Sequence, residues 1–411
     1  MVSEFFKSLF KMKLLFIANR IPYPPHRGDK LKIYNLALRL KELGHDLHLV
    51  TFTENKMELK YEIELKKIFQ AVHLIPLSTW KRYANVFFGF FSNKPFQVIY
   101  FQNKKFRQKV GYILAKHKFD AVHIQHLRML PYGLPIVLPK ILDLPDAYSM
   151  YWFRKVKQEK NIIMKFFKQL EYKRVFRFEK KLEKFDKVLV CSAEDQKYLE
   201  THHQLGNVEL LSNGVDLRTF RKGQAASTYE RQTILFTGNM NYTPNIDAVR
   251  YFVSQIWPKI RKKHPNARFV IAGQNPTKLV RELASEEIEV TGFVEDIAGQ
   301  YQKATVIVSP LRIGAGTQNK VLEALAMEKP VVCTPIGFEG LKIRHGHGVL
   351  LAKSASEFSE NVNKLLEDKQ FAKRMAKLGY QHVRENFDWD IVAKILENYF
   401  LESIKNHDST S

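Results

Sequence analysis

Two cysteines in 411 residues, Cys191 and Cys333, are too few and too far apart to build a disulfide framework or a cysteine zinc cluster. Their scarcity makes a reducing cytoplasm the default compartment. Long apolar runs are also missing. The longest candidate, Ala84 to Phe91, falls far short of the ~20 residues that cross a bilayer. Glycine (19) and proline (16) stand at ordinary levels, which excludes collagen-like and low-complexity chains. Acid is in deficit: 65 Lys+Arg face 42 Asp+Glu, for a formal net charge of +23. The imbalance is local, because residues 1–220 hold 39 basic against 21 acidic residues and the remainder 26 against 21. A face with that excess attracts nucleic acid, anionic lipid or a phosphorylated substrate, and sign alone does not choose among them.

What is present is the composition of a folded soluble protein, 45% hydrophobic and long enough for two or three domains. Solid apolar runs alternate with helical patterns, the grammar of parallel α/β layers. Candidate strands in the first half are Lys13–Ala18, Asp46–Phe52, Ala71–Leu77, Ala121–Gln125, Ile136–Asp143, Lys187–Ser192 and Val208–Ser212. The second half offers Thr233–Thr237, Ala267–Ala272, Ile288–Thr291, Thr305–Ser309, Pro330–Cys333 and Val349–Ala352. Between the first two strands a helix is expected, capped at Asp29 and stopped at Gly44. The expected organisation is an amphipathic extension (1–12), an N-terminal Rossmann-like domain (13–220), a polar linker (221–231), a second Rossmann-like domain (232–385) and a C-terminal helix (386–411) returning to the first domain. The extension has two readings, an interfacial anchor or an upstream start preceding a natural opening at Met12. Open parallel sheets bind ligands at the carboxyl ends of their strands, so two such domains offer two half-sites.

Two segments carry chemistry. The loop after the first strand, Asn19 to Lys30, holds three prolines and places Gly28 where a helix begins, allowing close backbone approach and anion binding at the helix N-terminus. A plain strand-to-helix turn is the alternative. The stronger segment runs from Ser309 to Ala326: a buried strand, a turn carrying Gly314, Gly316 and Thr317, then a helix with Lys320 and Glu323. Gly316 and Thr317 can aim backbone N–H groups at a phosphate, with charge added by Lys320 and Arg312. Glu323, on the same helical face as Lys320, suits ribose hydroxyls rather than phosphate. A solvated salt bridge is the bland alternative.

This segment, continuing into Pro330–Thr334, resembles the donor-site signature of retaining family-four (group 1) glycosyltransferases of GT-B architecture. Further matches are Pro22-Tyr23-Pro24-Pro25 with Gly28-Asp29-Lys30, Ser212-Asn213-Gly214-Val215-Asp216, Phe236-Thr237-Gly238-Asn239-Met240, Ala272-Gly273 and Thr291-Gly292-Phe293-Val294. The proline-rich opening is most similar to a bacterial subgroup linked to exopolysaccharide and exosortase-type loci. The resemblance implies an α/β fold of two Rossmann-like domains facing across a cleft, with a helical C-terminal tail. It implies a nucleoside-diphosphate sugar as donor, no cofactor or metal, and front-face transfer with retention. Glu323 then contacts the ribose, Gly28 packs on the donor phosphate, and Phe293 and Val294 lie near the base. Two departures stand out. Ala315 occupies the place of the family's first glutamate, which touches the donor sugar, and Gly238–Pro244 lacks the Arg and Lys that usually hold the diphosphate.

A family histidine after the fourth strand lies at the reacting sugar. His126, at that strand's carboxyl end, is the catalytic candidate, whereas His123 falls inside the strand and reads as core. Asp143 and Asp146 are acceptor-side candidates, or helix caps. Asp388-Trp389-Asp390 imitates a metal motif but sits where aspartates cap a helix, and His345-Gly346-His347 reads as a turn without a third ligand. Residues 151–187 interleave 13 basic residues with nine aromatics, and Phe87-Phe88-Gly89-Phe90-Phe91 reads either as core or as an interface-inserting loop. The expected partners are thus a nucleotide sugar, a glycan or lipid-linked acceptor for cell-surface polysaccharide, and an anionic membrane surface on the cytoplasmic side. Two other readings stay open: a non-catalytic sugar-nucleotide-binding homologue, and a basic protein binding nucleic acid or anionic membrane. The absence of a nucleic-acid recognition motif argues against the nucleic-acid version.

Overall fold

The computed structural model describes residues 10–25, 28–221, 223, 232–313 and 318–409. The chain divides into two units, Met1–Ser212 together with Val392–Ser411, and Asn213–Ile391. The first unit is built on seven parallel strands: β1 (Lys13–Ala18), β2 (Asp46–Thr53), β3 (Ala71–Pro76), β4 (Ala121–Gln125), β5 (Lys140–Asp143), β6 (Lys187–Val190) and β7 (Val208–Leu210), in the order β3-β2-β1-β4-β5-β6-β7. The second holds β8 (Thr233–Thr237), β9 (Arg268–Ala272), β10 (Ile288–Gly292), β11 (Val306–Ser309), β12 (Val331–Cys333) and β13 (Val349–Leu351), in the order β10-β9-β8-β11-β12-β13. Each sheet winds outward from its first strand, then returns to continue on the other side. The order therefore reverses between β1 and β4 and between β8 and β11, the positions where doubly wound sheets bind ligands.

Every candidate strand is found: β1, β4 and β8 with the expected bounds, β2 and β10 one residue longer, and the others shorter at one end. The largest change is at β5, which begins at Lys140 because Pro139 has no N–H to give a sheet ladder. The helix Gly28–Glu42 ends as expected: Gly44 takes φ +102°, and His45 N–H reaches back to the Leu40 carbonyl at 3.1 Å. Asp29 lies inside the first turn rather than outside it, paired with Arg20 at 3.5 Å.

Residues 213–220 group with the second unit rather than the first. The reason is local packing: Val215 N–H donates to Phe387 O at 2.8 Å, and Leu217 and Phe220 lie on the cluster around Tyr301. Of the expected linker only Arg221 and Gly223 are among the described residues. The last helix, Trp389–Asp408, starts in the second unit and belongs to the first from Val392 onward. There His45 Nε2 meets Glu397 Oε1 at 2.8 Å, and Phe400 packs beside His123. The phenylalanines at 87, 88 and 91 are exposed, so core packing is not their role.

Backbones crowd at the β8/β9 edge. Gly273 has φ +147°, and a Cβ there would sit 1.8 Å from the Gly238 carbonyl oxygen. Backbone against backbone cannot yield as a flexible side chain can. Gly273→Ala is expected to destabilise this unit by about 3 kcal/mol or more. Gly28→Ala is the control, since nothing lies within 4 Å of its virtual Cβ. Equal denaturation midpoints for the two variants would refute the argument.

Candidate active site

At the first unit's reversal point, the carboxyl end of β4 is tied to the first turn of the helix that follows β1: Gln125 Nε2 donates to the Asp29 carbonyl at 2.6 Å. Gly28 is exposed at the start of its helix. His126 follows β4 directly, buried, with φ +82°, a conformation uncommon for a side chain of this size. Its backbone is held on both sides, its N–H by Asp143 O at 2.8 Å and its carbonyl by Met129 N–H at 2.9 Å. Around the ring, Arg128 N–H approaches Nδ1 at 3.4 Å, while the Tyr148 hydroxyl hydrogen-bonds Nε2. Burial, reinforced by the positive charges of Arg128 and Arg20, pushes the imidazole well below its usual pKa. His126 is therefore a neutral hydrogen-bonding group, with the Tyr148 hydroxyl within reach of both ring nitrogens.

Asp143 closes β5 in the interior rather than facing a ligand. Its Oδ1 pairs with Lys32 Nζ at 2.7 Å, and His123 Nε2 stands 3.5 Å from Oδ2. Lys32 also donates to Leu211 O at 2.9 Å, so this ammonium joins the first helix to β5 and the end of the sheet. Its occupation is structural, as is that of His123, whose ring packs tilted against Phe16 with centroids 4.8 Å apart. Asp146 is half-buried in the turn before the helix Tyr148–Gln158, where its charge raises the pKa of Tyr151 after burial has done most of the work.

The second unit's reversal point gathers more chemistry. Thr237 ends β8, and its hydroxyl lies 2.7 Å from that of Tyr301, which donates to Glu323 Oε2 at 2.8 Å. Lys320, on the helix Asn319–Ala326, is buried over the Phe236 ring and donates to Asn245 Oδ1 at 3.0 Å. Burial lowers its pKa to about 8, with Glu323 opposing the shift, and burial raises the carboxyl of Glu323. Asn245 in turn donates to Asn239 O at 3.0 Å, fixing the loop after β8. Sequence expectation and structure part at Arg312. Its guanidinium is bidentate to Asp247 (3.0 and 2.5 Å) and lies over Tyr251, so its charge is matched within the protein. Phe293 is exposed, and Val294 packs partly on the cluster around Tyr301. Gly316 and Thr317, like Gly314 and Ala315, lie outside the described residues.

Residues 33–219 match the model described as Glycosyltransferase Family 4, and residues 231–368 the model described as Glycosyl transferases group 1. The chain belongs to the group 1 glycosyltransferases. Its curated relatives include an uncharacterized 44.6 kDa protein in the cps region of Klebsiella pneumoniae, 22% identical over 405 residues, spanning 95% of this transferase and all of the relative. Solved structures of the same GT-B fold include a sucrose-phosphate synthase from Thermosynechococcus elongatus (TM-score 0.69, 16% identity, 95% of this chain and 99% of that one). Another is HepE of Anabaena in complex with UDP-glucose (TM-score 0.65, 14% identity, 96% and 100%).

The two decoys have other work in this transferase. Asp388 Oδ1 accepts from Asp390 N–H at 3.1 Å, Asp390 pairs with Arg218 at 3.2 Å, and Trp389 is buried against Gly214. His345 Nδ1 accepts from Leu351 N–H at 3.1 Å in a turn closed by Gly346, φ +85°. Among the described residues no group of three or more potential ligands could hold a metal ion. Sequence reading passed over Lys32, Tyr148, Asn245 and Tyr301. Lys32 had a usable signal: it shares a helical stripe with Leu36 and Leu40, and a charge on an apolar stripe needs a buried partner.

Proposed function

We propose that the protein is a retaining glycosyltransferase, using a nucleoside-diphosphate sugar as donor and a glycan or lipid-linked molecule of cell-surface polysaccharide synthesis as acceptor. The observation that carries the donor reading is the pairing on one short helix of a buried ammonium, Lys320, with a carboxylate, Glu323, at a sheet's reversal point. Lys320 takes the diphosphate charge and stabilises the leaving group together with the backbone N–H groups of Gly316 and Thr317. Arg312 is secondary, because Asp247 already holds it. Glu323, oriented through Oε2 by Tyr301, offers its other oxygen to the ribose hydroxyls, with Phe293 and Val294 beside the base. Gly28 admits the donor phosphates to the first unit's backbone. The neutral imidazole of His126 hydrogen-bonds the reacting sugar by exchanging its Tyr148 partner for a sugar hydroxyl, and Asp146 is the remaining acceptor-side carboxylate.

Transfer with retention proceeds on one face of the anomeric carbon: the bond to the diphosphate breaks as the acceptor hydroxyl approaches, and the hydroxyl proton leaves on the departing phosphate. The charge that develops is met by fixed donors, Lys320 foremost. The UDP-glucose held by HepE and the cps-region location of the Klebsiella relative support a uridine donor and a polysaccharide product.

The test is a thermal-shift panel of UDP, GDP, ADP, dTDP and CDP, followed by donor turnover. A nucleotide at a hundredfold its Kd should stabilise by about 2.7 kcal/mol, a shift of several degrees. His126→Ala should keep that shift and lose turnover by about 100-fold or more. Silence from every nucleotide at millimolar concentration would remove the donor site. A shift without turnover would favour the non-catalytic homologue.

A further inference from the structure

The first unit carries an apolar surface that lies exposed among the described residues. The helix Thr79–Phe88 turns Trp80, Tyr83 and Phe87 outward at spacings of three and four residues, and Phe88 and Phe91 continue the patch. Trp80 is 83% exposed, Phe88 80% and Phe91 92%. A second exposed apolar segment begins the helix Ile162–Glu179: Ile162, Ile163, Met164, Phe166 and Phe167. The loop that ends the first patch packs on this second helix. Glu171, farther along that helix, accepts from Phe96 N–H at 2.9 Å, and Arg174 lies over the Phe96 ring and hydrogen-bonds the Phe90 carbonyl. Single exposed hydrophobics need no explanation, whereas a cluster of large aromatics rimmed by charge does.

The rim is basic. Lys94, Lys157, Lys160 and Lys165 are exposed on or beside these segments, and residues 1–220 hold most of the chain's positive excess. Aromatic side chains flanked by lysine are the chemistry that settles at the boundary between headgroups and acyl chains. No helix among the described residues is long and apolar enough to cross a membrane, so the contact is with a surface. Placement adds a third observation. Thr79–Phe88 follows the carboxyl end of β3, and Ile162–Glu179 comes two helices after the carboxyl end of β5. In a parallel sheet those ends share the edge at which His126 follows β4.

We infer that residues 80–91 and 162–167 dock the first unit on an anionic lipid bilayer. The aromatics enter the interfacial layer, and the lysines hold the headgroups. The inference does not depend on the nucleotide reading, since a bilayer contact needs no donor and would serve any chemistry on a lipid-borne molecule.

The test is co-sedimentation of the full chain with phosphatidylcholine vesicles, with and without phosphatidylglycerol, in the absence of nucleotide. Binding is expected with phosphatidylglycerol and should weaken with added salt. The triple variants Phe87→Ser/Phe88→Ser/Phe91→Ser and Ile163→Ser/Phe166→Ser/Phe167→Ser should each weaken it about tenfold or more. Their melting temperatures should match wild type, because the replaced side chains are exposed. Three results would overturn the inference: no binding to either vesicle; binding that survives both triple variants and disappears only when residues 1–11 are removed; or light scattering showing a dimer that the same substitutions dissociate, which would give the patch to a second copy.

Discussion

Lys320→Met is expected to weaken nucleoside-diphosphate binding by about 10- to 150-fold, the worth of one charge-assisted contact made away from water. The wild-type ammonium is already prepared for an anion. Burial holds its pKa down to about 8, so the empty site carries a charge it solvates poorly. A diphosphate arriving there repays that desolvation and keeps the proton on. Two opposite pH dependences follow. In the free protein the folded-state pKa lies below the unfolded value of 10.5, so the unfolded chain binds more protons between the two. Stability of the free second unit therefore rises with pH through about 8 to 10.5. Affinity moves the other way, falling up to about tenfold per pH unit above 8, because the ligand needs the charged form. Isothermal titration from pH 7 to 9 reads the affinity directly. Lys320→Met should be flat over that range, and a wild type equally flat would mean that the ammonium does not meet the phosphate.

How far this site could be read in advance depended on whether the signal was local. Solid apolar runs located every strand, because a buried parallel strand is defined by its own side chains. The Lys320/Glu323 pair was legible because both residues sit on one short helix after a glycine-rich stretch of sequence. Partners supplied from elsewhere were not legible. Asn245 is seventy-five residues from Lys320, and Asp247 sixty-five from Arg312. Nothing in the Arg312 segment announces that its charge is already spoken for. The same limit explains Asp143. A carboxylate at the end of a strand, on the functional edge of a sheet, reads as a ligand contact until the lysine 111 residues earlier is seen to reach it. His126 could be found by position alone, yet its neutral state depends on burial and on two arginines that no spacing rule selects.

That lysine leads to the second large effect. Lys32→Met is expected to destabilise the first unit by about 3–5 kcal/mol at pH 7, because it leaves the Asp143 carboxylate buried without its partner. The pair as it stands is balanced. Burial alone would lower the Lys32 pKa and raise that of Asp143, but their mutual attraction, with Cys191 helping the lysine and His123 the aspartate, wins on both sides, leaving the lysine raised and the aspartate lowered. A depressed aspartate contributes stability that is present above its unfolded pKa and is lost as pH falls through the folded value; the raised lysine contributes below its own unfolded value. Removing the ammonium inverts the aspartate. With only His123 left to oppose burial its pKa climbs, the folded variant takes up a proton that the unfolded chain does not, and acidification then helps the variant. The gap between wild type and Lys32→Met should accordingly narrow from pH 7 to pH 5. Lys32→Met/Asp143→Leu, which removes both charges, should recover much of the loss, as apolar replacements of buried ion pairs often do. Denaturant melts of the three proteins at the two pH values decide the matter. A pH-independent gap, or a double variant no better than the single one, would mean that the loss comes from the lysine's bond to Leu211 O and the packing of its stem, not from the stranded charge.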